Sequence, residues 1–326
     1  MEDAPLFLTR RDFVGAAGVF GLAANGNLPL RPVISGGAAA PNKADTMIER
    51  AFLRLNEGLI HYRSAGTFAG SQTTGPLPLY MAHAGPGSSL GMEGLMSRLA
   101  PTRFCIAPDM LGNGDSAAPA TDSTTMEYYA GCAVRMLDAL KIERVDFYGS
   151  HTGAQIAIEL AVKWPDRVGR LVLDGMPLFA NDLKRDLLAN YAPAVQPDEF
   201  GGHLLWAWNF VRDQFLFWPH YAHDVQHRLP NGLLSPRQLH LGVVDVLKAL
   251  DTYRIAYQAA FAQDVRGLVP RIRAPVLFTA TERDPLHTYL EEVAALLPGA
   301  KKLLFPREAV TVDRAAAIQD FLDARG

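Results

Sequence analysis

The chain reads as an α/β protein: a mostly parallel central sheet flanked by helices, with a helical insertion before its last strands. Three observations predict this. Short apolar β-type runs alternate with helical runs through residues 47–175, and one of those runs ends in a glycine-framed turn that feeds straight into a helix. The alternation stops near residue 176 and resumes near 272. Strands covered on both faces give continuous apolar runs rather than alternating ones, and that is the pattern here.

Taken in order, residues 51–55 and 59–63 flank Asn56-Glu57-Gly58 and predict a β-hairpin. Residues 77–82 form an apolar strand with Pro78 near its start, where a missing N–H is tolerated. It leads into His83-Ala84-Gly85-Pro86-Gly87-Ser88-Ser89 and then a helical run over 90–99. A buried strand at 103–107 closes on Asp109-Met110-Leu111-Gly112-Asn113-Gly114-Asp115-Ser116. Helix is predicted over 125–140, strand over 145–148 and strand over 171–175. From 176 to 271 no apolar strand is evident, and helical runs cover 202–217, 236–250 and 252–262. Strands at 275–279 and 302–305 then return, separated by a helix at 286–297 and followed by a final one. The predicted organisation is a leader and linker over 1–46, a core made of 47–175 with 272–326, and a helical cap over 176–271.

The leader carries its own pattern. Thr9-Arg10-Arg11-Asp12-Phe13 is a twin-arginine motif, an apolar stretch covers 14–24, and small residues at 36–40 offer an A-x-A cleavage site. These predict passage through the twin-arginine export machinery to the periplasm or beyond. The stretch is too short and too rich in Ala and Gly to anchor, so no stable membrane insertion is expected. That route carries folded proteins, which suits a chain whose two cysteines, Cys105 and Cys132, read as buried thiols rather than a disulfide framework. A formal net charge of −3 over 326 residues, with no basic block, gives no electrostatic case for nucleic acid. The expected partner is a small-molecule substrate, and oligomeric state is left open.

The stretch with chemistry in it is Val145-Asp146-Phe147-Tyr148-Gly149-Ser150-His151-Thr152-Gly153-Ala154. Strand, Gly-x-X-x-Gly turn and helix make a nucleophile elbow, in which glycines let the turn close tightly and present its central side chain. The centre is normally serine; here it is His151. Reading Ser150 as the nucleophile shifts the frame, puts Tyr148 and Thr152 where small residues belong, and turns the serine out of the apex.

The His83–Gly87 loop, the Asp109–Ser116 loop and this elbow occur in a set order, each at the end of a strand. Together they resemble the α/β-hydrolase superfamily, in the capped subgroup that includes epoxide hydrolases, haloalkane dehalogenases and many esterases; the resemblance covers residues 47–326. It implies an oxyanion hole built from the backbone N–H groups of Gly85 and Thr152. It also implies a catalytic acid, matched by Asp284 in Ala280-Thr281-Glu282-Arg283-Asp284 or by Asp174 at the end of an earlier strand. The chain departs from the family twice. His151 replaces the usual nucleophile, and the histidine expected after the last strand is missing, since none follows His287.

The two departures read as one rearrangement. An imidazole titrates near pH 6.5 unperturbed, so His151 needs no separate base. The leading expectation is hydrolysis of an ester, lactone or similar acyl bond in a small, largely apolar molecule, with His151 as nucleophile or general base. The alternatives are a cofactor-independent lyase or isomerase using His151 as base, and a non-catalytic ligand-binding pseudoenzyme. In the cap, Trp206, Trp208, Phe210, Phe215, Phe217, Trp218 and Tyr221 crowd together. Most read as packing; Trp208 and Trp218 are expected on the pocket, along with His83, Ser150 and His203. His220, His223 and His227 have helical spacing, but Pro219 interrupts the run and no outside ligand is identifiable. No metal and no cofactor are expected, the glycine motifs fitting oxyanion loops rather than a dinucleotide fingerprint.

Overall fold

The computed structural model describes residues 47–68, 75–121 and 124–324. The twin-arginine motif, the apolar stretch and the A-x-A site lie outside them.

The hairpin forms as expected. Strands β1 (Glu49–Leu55) and β2 (Gly58–Ala65) pair antiparallel with Leu55 opposite Gly58. Gly58 sits at φ +136°, and a Cβ there would meet that of Ala117 at 2.6 Å. Strands β3 (Leu79–Ala82), β4 (Cys105–Pro108), β5 (Val145–Ser150), β6 (Val168–Asp174), β7 (Val276–Thr281) and β8 (Lys301–Phe305) follow. The eight strands make one sheet in the order β1-β2-β4-β3-β5-β6-β7-β8, parallel from β4 through β8 and antiparallel at β1–β2 and β2–β4.

Strand alternation divides the core between the two faces. Tyr80, Ile106, Phe147, Leu171 and Phe278 point to the side covered by α2 (Met126–Ala139), α3 (Thr152–Lys163) and α9 (Leu290–Ala295). Their neighbours Leu79, Cys105, Tyr148, Val172 and Leu277 point to the side covered by α1 (Glu93–Leu99) and α10 (Thr311–Asp323). Every residue of β3, β4 and β5 is buried, which is why those runs are mostly apolar; the charged exception in β5, Asp146, is paired with Arg103 at 2.9 Å. Phe147 is fully buried and stacks on Tyr80, so its replacement by alanine would cost about 3–5 kcal/mol. Cys105 and Cys132 are free and buried. Helix α2 starts where the Thr125 side chain accepts from the Tyr128 N–H.

Between β6 and β7 run α4 (Asn181–Asn190), α5 (Gly202–Leu216), α6 (Pro236–Lys248), α7 (Tyr253–Ala262) and α8 (Val265–Leu268). Helix α4 went unpredicted; it has no side-chain cap and Leu187 is its one buried residue, so its sequence reads as a polar surface. The segment has a core of its own, including Leu187, Tyr191, Phe210, Val246 and Tyr253, which reaches Ala84 in the loop after β3. Its last part packs differently: Ala256, Ala259, Ala260, Val265 and Leu268 join the core beside the sheet. The helical layer therefore merges with the α/β core before residue 271. His220, His223 and His227 lie in turns and irregular chain, not on one helix face.

Strand order reverses at β3, whose neighbours are β4 on one side and β5 on the other. In open α/β sheets such a switch point opens a crevice beyond the carboxyl ends of the strands. The loops at 83–89 and 109–116, and the turn at His151, all leave the sheet there.

Candidate active site

Glycines shape the turn at the end of β5. A Cβ on Gly149 would lie 2.4 Å from the Gly153 carbonyl oxygen, and one on Gly153 would lie 2.2 Å from that of Ala82. Only hydrogen fits at either place, so α3 starts hard against β3 and β5. His151 between them adopts φ 50° and ψ −108°. A side-chain-bearing residue held in such a conformation costs on the order of 1–3 kcal/mol, and such residues concentrate at functional sites. The His151 N–H donates to the Asp174 carbonyl at 2.8 Å, fastening the turn to the end of β6.

His151 opens onto a cavity whose base also includes Gly85, Thr152, Asp174, Asp284 and Arg314. Phe179, Tyr191, Phe215, Trp218, Leu234 and Phe261, all from the segment between β6 and β7, form apolar walls. Gln155, Gln214, Asn231 and Arg283 add polar points. Gly85 and Thr152 face each other closely: a Cβ on Gly85 would sit 3.5 Å from Thr152 Oγ1. Tyr257 donates its hydroxyl to the Gly85 carbonyl at 3.0 Å, tying α7 to this loop.

Of the two candidate acids, Asp284 meets the imidazole. His151 Nε2 lies 2.6 Å from Asp284 Oδ2, while Asp284 Oδ1 accepts the Leu286 N–H at 2.9 Å. Since a carboxylate only accepts, Nε2 carries the proton and Nδ1 is the basic nitrogen. Burial works against charge on His151, but the Asp284 carboxylate and its hydrogen bond, with the Asp174 charge, outweigh burial and the opposing Arg314. The imidazole pKa ends above its ordinary value. Asp284 is the mirror case: burial pushes it up, and the charge and hydrogen bond of His151, the Leu286 N–H and the His287 charge bring it below the usual range.

Asp174 is engaged elsewhere. Its carboxylate accepts from Arg314 Nη2 at 2.6 Å, Tyr148 Oη at 2.8 Å and Thr279 Oγ1 at 2.8 Å. It therefore contacts His151 through its backbone and not as the group that orients the ring.

Other expected site residues fall outside the cavity lining. Ser150 is fully buried as the last residue of β5, so its hydroxyl is not at the apex. His83 is buried scaffolding: Nε2 accepts the Met110 N–H at 2.9 Å and Nδ1 donates to the Ala84 carbonyl at 2.8 Å, joining the loops after β3 and β4. Burial lowers its pKa, and it stays neutral. His203 turns to Asp198, with Nδ1 3.2 Å from that residue's N and 3.4 Å from Oδ2. Trp208 is 38 % exposed and away from the lining, whereas Trp218 forms part of the wall. Helical rotation separates the two tryptophans: Trp208 lies on the outer side of α5, and Trp218 follows the helix end and folds inward.

Three residues to which the sequence assigned no individual role shape the site. Gly175, at φ +64°, has room for no Cβ: one would fall 2.4 Å from the His151 ring and 2.7 Å from Asp284 Oδ2. The Asp-Gly pair at the end of β6 was its sequence signal. Arg314 reaches the cavity from the first turn of α10, where it interrupts an otherwise apolar buried face of Ala315, Ile318 and Phe321. Asp109 organises the loops, accepting from the Ser89 N–H at 2.7 Å, the Asp115 N–H at 2.8 Å and His61 Nδ1 at 2.9 Å.

Residues 78–308 match the family model described as the alpha/beta hydrolase fold. The chain is 45% identical over 101 residues to the 2-hydroxymuconate semialdehyde hydrolase of Pseudomonas sp. (strain CF600), covering 30% of this chain and 36% of that protein. It is 30% identical over 135 residues to the haloalkane dehalogenase of Mesorhizobium japonicum, covering 41% of each. The matched parts thus span well under half the length of these curated relatives. Among solved structures, the enol-lactonase from Burkholderia xenovorans LB400 superposes with a TM-score of 0.60 over 83% of this chain and 96% of its own, at 19% identity, a likeness of fold. The strand order, the elbow after β5 and the acid after β7 agree with the match over the greater part of the chain, which belongs to the α/β-hydrolase fold family.

Proposed function

We propose that the protein is a hydrolase acting on an ester, lactone or related acyl bond in a small, largely apolar molecule. His151 serves as its base. The observation that carries this reading is the 2.6 Å contact between His151 Nε2 and Asp284 Oδ2 at the apex of the elbow. Asp284 fixes the ring and stabilises the imidazolium that forms when Nδ1 takes a proton. Nδ1 adjoins the crowded Cβ, which suits it to deprotonating water better than to attacking a carbonyl itself. In the step proposed, Nδ1 accepts a proton from water as the water oxygen bonds to the acyl carbon. The Gly85 and Thr152 N–H groups hold the developing oxyanion. The carbon–oxygen bond then breaks, and the leaving alcohol takes the proton back from Nδ1.

Support for the apolar substrate comes from the aromatic walls. The relatives supply probes: 2-hydroxymuconate semialdehyde and enol lactones belong in the panel beside chromogenic esters. Turnover by the native protein and none by His151→Ala is the expected result; equal rates would sink the proposal. Exchange of a substrate C–H proton with solvent, without hydrolysis, would favour a lyase or isomerase. Binding with no turnover would favour a ligand-binding protein.

We also propose export by the twin-arginine route, on the strength of Thr9-Arg10-Arg11-Asp12-Phe13 and the apolar run after it. Cell fractionation of the full chain and of its Arg10→Lys/Arg11→Lys variant tests this: both remaining in the cytoplasm would overturn it.

A further inference from the structure

Beneath His151 lies a buried charge pair that the proposed chemistry does not use. Asp174 and Arg314 are 5 % exposed each, and Arg314 Nη2 donates to Asp174 Oδ2 at 2.6 Å. Tyr148 at the end of β5 and Thr279 in β7 also donate to Asp174, so one carboxylate gathers three adjacent strand ends and the last helix. Arg314 lies over the Phe305 ring at 5.7 Å, and its Nε has no hydrogen-bond partner among the described residues. A buried pair with an orphan donor is a poor way to gain stability, because desolvation consumes the Coulombic gain.

The position of the pair suggests what it does. Asp174 accepts the His151 N–H on its carbonyl at 2.8 Å, and both residues line the same cavity. On the other side Asp284 already touches Nε2. A second uncompensated carboxylate near this half-buried imidazole would favour its protonated form, and a protonated imidazole is neither base nor nucleophile. We propose that Arg314 is a positioning residue that offsets the Asp174 charge under the elbow and thereby favours the neutral, basic form of His151. The inference deepens the hydrolase reading, since it assigns the device that keeps that reading's base available.

The charged and titratable groups around His151 are Asp284 after β7, Asp174 at the end of β6 and Arg314 on α10, with Arg283, Tyr191 and Tyr257 on the cavity wall. His287 stands behind Asp284, its Nδ1 2.6 Å from the Asp284 carbonyl. Among these, Arg314 is the cation that touches Asp174. The Coulombic influences on His151 run in the same sense: Asp174 favours its charged form and Arg314 disfavours it.

The test is an NMR titration of the His151 imidazole in the full chain, a readout that does not depend on turnover. Arg314→Gln should raise the midpoint by about one pH unit, and Asp174→Asn should lower it by a similar amount. Arg314→Lys should keep it near the native value, and the doubly neutral Asp174→Asn/Arg314→Gln protein should return close to it. A purely structural role moves both single variants alike or neither, and either pattern overturns the proposal. Should Arg314→Gln fail to fold, Asp174→Asn and the doubly neutral variant carry the test, and an unmoved midpoint in Asp174→Asn overturns it. Loss of hydrolysis with the opposite shifts intact would count against the proposed reaction and leave the role of Arg314 standing.

Discussion

Gly175 and His151 share a space that admits only one side chain. A Cβ on Gly175 would lie 2.4 Å from both Cδ2 and Nε2 of the His151 ring, and 2.7 Å from the oxygen that ring contacts. The bare backbone after β6 is therefore the surface on which the His151–Asp284 pair rests.

Gly175→Ala should accordingly push the ring off Asp284. The left-handed φ of +64° adds roughly 1–2 kcal/mol of backbone cost for a residue with a Cβ. Displacements near 1 Å at a reacting centre cost on the order of 100-fold in rate. Steady-state kinetics together with a melting curve would show a fall in kcat far larger than the loss of stability explains. Native kcat in this variant would mean that the pair is not the working arrangement.

Rate should depend on pH through His151. The base works neutral and its pKa is raised by Asp284, so log kcat/KM should rise with pH through a midpoint above about 6.5. Asp284→Asn removes the charge that favours imidazolium, which moves the midpoint down and lowers the plateau by about 10²–10⁴. A pH–rate profile of both proteins decides the matter; an Asn variant whose midpoint moves upward contradicts it.

Substitution at the apex separates His151 from its neighbour. His151→Ala should leave less than about 1% of activity, while Ser150→Ala, altering a fully buried hydroxyl, should retain most of it. His151→Ser should not create an ordinary serine hydrolase, because His83 is locked between Met110 and Ala84 and His203 is turned to Asp198. Strong esterase activity in that variant would show that another imidazole reaches the serine.

A fourth expectation concerns stability. Burial pushes the Asp245 carboxyl up to about 7, with Asp109 adding to the effect and Ser88, Lys248 and Arg63 opposing it. Ser88 Oγ donates to it at 3.2 Å, so it links α6 to the loop after β3. The folded state favours the protonated acid, so its contribution is complete below about pH 4 and is lost as pH rises toward 7. Asp245→Asn should remove that slope and melt higher than the native protein at pH 8. Melting temperatures at pH 5 and pH 8 test this; parallel changes in the two proteins would refute it.

The architecture was legible because it rests on short-range rules. Alternation of apolar runs marked β3 through β8, and the Gly-x-X-x-Gly pattern around His151 marked the tight turn, where the steric demand on Gly149 is local. The same locality explains the errors. Helix α4 lacks both cap and apolar stripe, and the spacing of His220, His223 and His227 meant helix only if the chain there were helical. His203 and Trp208 were placed by residue type, yet His203 is turned to Asp198 and Trp208 faces outward from α5.

What the sequence by itself determined is the sheet, the elbow with histidine at its apex, and a short list of acids able to serve it. Which acid does so was a tertiary decision. His151 and Asp284 are 133 residues apart, and Asp174 and Arg314 are 140 apart. No local pattern separates Asp174 from Asp284, because both stand at the carboxyl ends of neighbouring parallel strands. Only the convergence of those strand ends, with α10 bringing a cation beneath one and not the other, leaves Asp284 to face the imidazole.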